Sequence, residues 1–211
     1  MSETLGFGVC RLAVVSLKAD PAATSHQTTQ LLFGDHYEVL NRSGDGRWLH
    51  VRVFMDHSEG WIDALQHHEI TPEYFHQINN SNYKVVTDVV STILYKKTPL
   101  TILLGSVVPI SNSELFKLEE QFAFNGEAKT LGQRRDYEFL KFIALKYVNA
   151  PYEKGGKSPF GIDEGALVQM AFRIAGYGVP RHLHQQWQRL TPYQEDERPE
   201  VGSIGFFEDR V

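Results

Sequence analysis

Tyr152-Glu-Lys-Gly-Gly-Lys-Ser-Pro-Phe-Gly-Ile-Asp163-Glu164-Gly165-Ala166-Leu-Val-Gln169 is the stretch that decides how this chain folds. Its first half is rich in glycine and carries a proline, which marks a loop. Its second half opens a helical period: Leu167, Val168, Ala171, Ile174 and Ala175 share one face of a helix that starts near Asp163 and meets a C-cap at Gly176. Upstream, Tyr137, Leu140, Ile143, Ala144 and Tyr147 give another amphipathic helix, ending before Asn149 and Pro151. Gly155-Gly156 is not a phosphate loop, because no Lys-Ser/Thr pair opens a helix after it. The two glycines read as a tight turn that brings backbone close to the second helix.

The same stretch resembles the nucleophile segment of the NlpC/P60 cell-wall peptidases, Tyr-x-Trp-Gly-Gly-x-Ser-x-x-x-x-Asp-Cys-Ser-Gly-Leu-Val-Gln, in which the cysteine opens a helix. Glu164 stands at the cysteine position, and Gly165 and Ala166 replace the following Ser-Gly. The reaction of that family needs a thiolate, favoured by a helix N-terminus and a nearby imidazolium. A carboxylate suits a helix N-terminus electrostatically but is a poor nucleophile toward an amide. The one cysteine, Cys10, lies far away among Val9 and Leu12, in what reads as a strand, and is expected to be a small buried hydrophobe. The family's base histidine begins a His-Val-Gly-Ile strand that follows Gly-Asp-Leu-Val-Phe-Phe. Here Val201-Gly-Ser-Ile-Gly-Phe-Phe207 resembles the earlier strand, with Ser203 for its Asp, and no counterpart of the base strand follows it. His182 and His184 fall in Pro180-Arg-His-Leu-His-Gln-Gln186, a loop-to-helix segment, and read as solvent-facing variation; no third ligand converges on them to hold a metal.

Outward from this segment the chain divides into three parts, 1–76, 77–131 and 132–211. In the first, short runs alternate with polar turns: Cys10–Leu17, Gln30–Phe33, Tyr37–Leu40, Trp48–Phe54 and Glu59–Ile62. Such a series argues for a small barrel. The order, with Leu-Leu-Phe-Gly-Asp35, a Trp-Leu-x-Val strand at Trp48 and a closing Gly-Trp61-Ile-Asp63, resembles a bacterial SH3 domain. In the second part Val85–Leu94, Leu100–Leu104, Val107–Ile110 and Leu115–Phe122 read as strands buried on both sides. This unit is either a second SH3-like barrel or a β-rich spacer. The fold expected is therefore α+β, one or two SH3-like barrels followed by a truncated papain-like NlpC/P60 domain.

The resemblance implies a pocket that recognises the free amine of a wall stem peptide. It would be lined by Tyr152, Ser158 and Asp163, and roofed by the barrel through Asp35 and Trp61. Lys154 replaces the family Trp and would oppose an ammonium, and Ser58 occupies the roof's aromatic position. Leu140, Ile143, Leu167, Val168 and Ile174 would lack the sheet that covers such helices in relatives. The region is then expected either to pair with a second copy through an edge at 204–207, with Phe206 and Phe207 at the contact, or to adopt a packing unlike the family's, with the second unit as the covering surface.

Composition sets the remaining bounds. A formal charge of −5 with no basic run argues against nucleic acid. One cysteine excludes a disulfide framework. Met1-Ser-Glu-Thr-Leu lacks the basic and apolar regions of a signal peptide, and Leu100–Ile110, broken by Gly105 and Pro109, is too short to span a bilayer, so a cytoplasmic location without membrane contact is expected. No motif asks for a cofactor. The resemblance then implies one of two things: a non-catalytic relative that binds a murein stem peptide or a protein partner, or a shortened γ-D-glutamyl-diamino acid endopeptidase with no separate function.

Overall fold

The computed structural model describes residues 4–80, 83–109, 116–117, 122–194 and 196–207. The first unit contains β1 (Gly6–Val9), β2 (Val14–Lys18), β3 (Gln27–Leu32), β4 (His36–Arg42), β5 (Trp48–Val53), β6 (Glu59–Asp63) and β7 (Glu69–Ile70), followed by α1 (Pro72–Asn80). Its strands join in the order β3-β2-β6-β5-β4-β1-β7, every pair antiparallel. The period-2 alternation places Val15, Leu17, Val39, Leu49, Val51 and Ile62 inside one core. Cys10 belongs to that core but lies just past β1, outside any strand, where its N–H donates to the Asp35 carbonyl.

The second unit has β8 (Lys84–Val86), β9 (Val90–Tyr95), β10 (Thr98–Leu103), β11 (Val107–Val108), β12 (Phe116–Lys117), β13 (Phe122–Asn125) and β14 (Ala128–Thr130). They form two small sheets, β10-β9-β13-β12 and β11-β8-β14. The expected single strand over Val85–Leu94 is broken, because Asp88 accepts from the Glu127 amide and the Ser91 hydroxyl and turns the chain between β8 and β9. β9 alternates exposed and buried residues, so it is buried on one side only, contrary to expectation. The expected strand at 115–122 lies largely outside the described residues.

The third unit carries α2 (Tyr137–Leu145), a hairpin of β15 (Lys157–Ser158) and β16 (Gly161–Ile162), α3 (Glu164–Ala175) and α4 (Leu183–Arg189). Asp136 caps α2 by accepting from Phe139 N–H, and Gly176 ends α3 in the left-handed conformation. Part of the expected apolar face is covered within the chain, while Leu167 stays exposed and Leu140 and Val168 are half-buried. Ile143, Met170 and Ile174 bury against Leu32 of the first unit and Val85 and Leu104 of the second. Three consecutive residues where β3 ends knit the molecule together: Leu31 enters the barrel core, Leu32 the helical core and Phe33 the core of the second unit. The segment 201–207 forms a turn and coil rather than the expected strand, and Phe206 packs edge-on against Trp187. The strand edge on which a 204–207 pairing would rest is therefore not present.

Candidate functional site

Asp163 stands just before α3 in extended conformation, and its Oδ1 accepts from the Ala166 N–H at 2.8 Å, which starts the helix. Its Oδ2 accepts from the Gly155 N–H at 2.9 Å, tying the glycine turn to the helix head. Gly155 has φ +75°, and a Cβ there would lie 2.6 Å from the Gln27 carbonyl of β3, so only glycine lets the turn sit against the barrel. Glu164, the first helical residue, is exposed at the positive end of α3. Gly165 also permits a close approach: a Cβ would come within 2.7 Å of the Arg181 carbonyl. Gln186 of α4 donates to the carbonyls of Gly165 and Pro180, at 2.9 and 2.8 Å, so α4 is strapped across the first turn of α3.

Among the described residues Arg181 is the largest of the fully buried side chains. Its Nη1 and Nη2 donate to the two oxygens of Asp163 at 2.8 Å each, its Nε donates to Thr29 Oγ1 of β3 at 2.8 Å, and Nη2 also reaches the Gly156 carbonyl at 3.3 Å. One guanidinium thus joins barrel, hairpin and helix head. Burial alone would raise the Asp163 carboxyl, but the hydrogen bonds and charge of Arg181 outweigh it and hold it below the ordinary carboxylate range.

Asp35 is fully buried and equally committed. Its Oδ1 accepts from Arg173 Nη2 at 2.6 Å, while Oδ2 accepts from Lys157 Nζ at 3.1 Å and from the Leu32 N–H at 3.0 Å. Burial pushes its carboxyl upward, yet Arg173 and then Lys157 prevail and draw it far down. This corrects the expectation of an open roof acid. Asp35 and Asp163 each face cations of the chain itself, Arg173 and Lys157 for the first and Arg181 for the second.

The other expected residues are scattered around this joint. Tyr152 lies beside Ile162 through a backbone bridge and is 71% exposed. Ser158 is buried in β15, its Oγ accepting from the Phe160 N–H at 3.2 Å. Trp61 remains on β6 with its ring against His50, the centroids 5.0 Å apart. His182 precedes α4 and stacks with His184, and burial together with Arg181 lowers its pKa. The Cys10 thiol, desolvated and bonded to the Leu12 carbonyl, is pushed up to about 12. Among the described residues no cluster of three or more His, Cys, Asp or Glu could hold a metal. No helix among them is long and apolar enough to cross a membrane.

The residues missed at the sequence level are the cations Lys157, Arg173 and Arg181. Arg173 offered a signal, since it interrupts the apolar face formed by Ala166, Met170 and Ile174 at helical spacing. A buried cation in such a face needs a carboxylate from elsewhere.

The architecture is the α+β fold of NlpC/P60 proteins with an SH3-like sheet at its N-terminal side. A solved NlpC/P60 family protein from Bacillus cereus superposes with a TM-score of 0.77 at 14% identity, over 92% of this chain and 80% of that one. An NlpC/P60 endopeptidase from Photobacterium damselae gives 0.65 at 15% identity, over 88% of this chain and 46% of that one. Residues 17–66 match the family described as the bacterial dipeptidyl-peptidase Sh3 domain. In sequence the chain is similar to dipeptidyl-peptidase 6 of Lysinibacillus sphaericus, 26% identical over 188 residues, spanning 77% of this chain and 67% of that one.

Proposed function

We propose that this protein is a non-catalytic NlpC/P60-type module that binds a peptide or protein partner. One observation carries the reading: Glu164, exposed at the head of α3 directly after the capping Asp163, occupies the position where peptide cleavage by this fold requires a thiolate. The alternative thiol, Cys10, is buried in the barrel core and held protonated by desolvation. Side chains left exposed along α2 and α4, among them Phe142, Leu145 and Trp187, offer apolar area of the kind a partner covers.

The similarity to dipeptidyl-peptidase 6 supports a second reading, a γ-D-glutamyl-diamino acid endopeptidase that has decayed and kept its frame. Incubation of the purified protein with an L-Ala-γ-D-Glu-diamino acid peptide tests catalysis. No turnover is expected, and turnover abolished by Glu164→Ala would overturn the reading. Calorimetry with L-Ala-D-Glu then separates the possible partners. Since Asp35 and Asp163 are already paired, no heat at millimolar dipeptide is expected, which favours a protein partner over retained stem-peptide recognition.

A further inference from the structure

A groove of about 720 Å³ is lined by Tyr137 of α2, Phe172 of α3, Trp187 of α4 and residues of the turn-and-coil segment that follows α4. None of Tyr152, Ser158, Asp163, Asp35 and Trp61 lines it, so it is separate from the expected stem-peptide residues. The coil is fixed in place as a wall. Tyr193 and Ser203 share a hydrogen bond between their hydroxyls at 2.9 Å, and the Glu200 N–H donates to Tyr193 Oη at 3.2 Å. Phe206 packs edge-on against Trp187 with ring centroids 5.2 Å apart. Gly202, at φ +97°, lies so near α2 that a Cβ there would overlap the Tyr137 ring.

Two features of the lining select what the groove can hold. Tyr193 and Phe206 join the three helical rings, so five aromatic side chains contribute to one groove. The charged residues that line it are Glu197 and Glu200, with no lysine, arginine or histidine beside them. Glu197 accepts from the Gln194 N–H through Oε2 at 2.8 Å, and Glu200 is engaged through its backbone N–H and carbonyl. Both residues are exposed, so either carboxylate can turn to a ligand in the groove. Aromatic rings attract a cation over their faces and carboxylates attract it by charge. A guanidinium answers both at once, because it is planar, stacks on rings and offers parallel N–H donors to a carboxylate, whereas an ammonium is a compact point charge. The volume lies within the range usual for ligand sites, roughly 300–1,000 Å³.

We propose, on the reading of this protein as a binding module, that the groove takes an arginine side chain of a protein partner, flanked in that partner by apolar residues. The guanidinium lies among the rings with Glu197 or Glu200 against its N–H groups, and the apolar neighbours rest on Leu190, Val201 and Ile204. An acidic segment is repelled by both glutamates. A purely apolar segment leaves their charge unused.

Titration calorimetry of the full chain with acetyl-Leu-Arg-Leu-amide and acetyl-Leu-citrulline-Leu-amide tests this, since citrulline keeps the shape of arginine and removes its charge. The arginine peptide is expected to bind at millimolar concentration, and the citrulline peptide at least about five-fold more weakly. Val201 lines the groove and is 71% exposed, so replacing it leaves the cores intact. Val201→Lys should weaken the arginine peptide about five-fold and Val201→Glu should tighten it, with the citrulline peptide moved by less than about two-fold in either. Glu197→Gln combined with Glu200→Gln keeps an acceptor for Gln194 and should weaken the arginine peptide about five-fold. The proposal is overturned by the absence of heat with the arginine peptide, by equal affinity for the two peptides, or by arginine binding that ignores these substitutions, which would reduce it to attraction by the net charge of the chain. Any of these leaves the non-catalytic reading standing. Turnover of the L-Ala-γ-D-Glu-diamino acid peptide would remove that reading and leave the groove to be judged by the same titrations.

Discussion

Arg181 and Asp163 meet as a two-pronged ion pair, Nη1 to Oδ1 and Nη2 to Oδ2 at 2.8 Å each, at the junction of α3, the glycine turn and the barrel. The acid that a peptide-binding pocket would need is thereby an internal cap, and its cation is the anchor of the loop before α4. Arg181→Met removes the charge while keeping much of the stem. It is expected to cost about 3 kcal/mol, because the partner carboxylate is left unpaired in a largely buried site. A urea midpoint shift at unchanged slope would register this. A loss below about 0.5 kcal/mol, the usual bound for surface changes, would mean that the pair is solvated.

The Asp35 triad makes a prediction about pH. Its carboxyl is held below the unfolded value by Arg173 and Lys157, so in the usual range the native state binds fewer protons than the unfolded chain. The stability this contributes is fully present above the unfolded pKa of about 3.9 and is lost as pH falls from there toward the folded value. Denaturation midpoints should therefore drop steeply below about pH 4, where unpaired surface carboxylates contribute little. Asp35→Asn should be less stable by about 3 kcal/mol near neutrality, leaving Lys157 and Arg173 short of a counter-charge, and should show a shallower acid limb. An identical acid limb in the variant would remove Asp35 from the account.

Much of this arrangement could be read in the sequence where the signal is local. The 3.6 period, Asp163 and Gly176 fix α3, and polar turns between alternating runs fix the barrel. α1 escaped notice although its marks are local too: Thr71 accepts from the Tyr74 N–H, Pro72 opens the helix and Glu73 lies in its first turn. Residues 201–207 misled because composition cannot supply a neighbour for a strand. Instead Tyr193, Ser203 and Glu200 hydrogen-bond one another and coil the segment. The site itself was least legible. Asp35 finds Lys157 and Arg173 at separations of 122 and 138 residues, and no local pattern specifies such pairings.

Cys10 should be chemically silent in the native protein. Its sulfur is buried in the barrel core and its pKa is pushed up to about 12, so almost no thiolate exists at pH 8. Iodoacetamide is expected to leave the native thiol unmodified and to alkylate it fully in denaturant. Rapid native labelling, followed by mass, would show that the barrel opens or that the thiol is not where the fold places it.

Glu164→Cys separates placement from catalysis. The new thiol would stand exposed on the first residue of α3, where the helix dipole favours an anion, so its pKa should fall below the free-thiol value of about 8.5. It should therefore react with iodoacetamide at pH 7 far faster than Cys10, and the pH dependence of that rate reads the shift directly. Hydrolysis of L-Ala-γ-D-Glu-diamino acid should nevertheless remain undetectable. Asp163 is already neutralised by Arg181, and the pKa of His182 is lowered by its own burial and by the same guanidinium. A thiolate without a correctly aligned base and a receptive substrate site has only reactivity toward small electrophiles to show. Turnover in the single variant, lost again in Glu164→Cys with His182→Ala, would instead establish His182 as a working base and reopen the case for a peptidase.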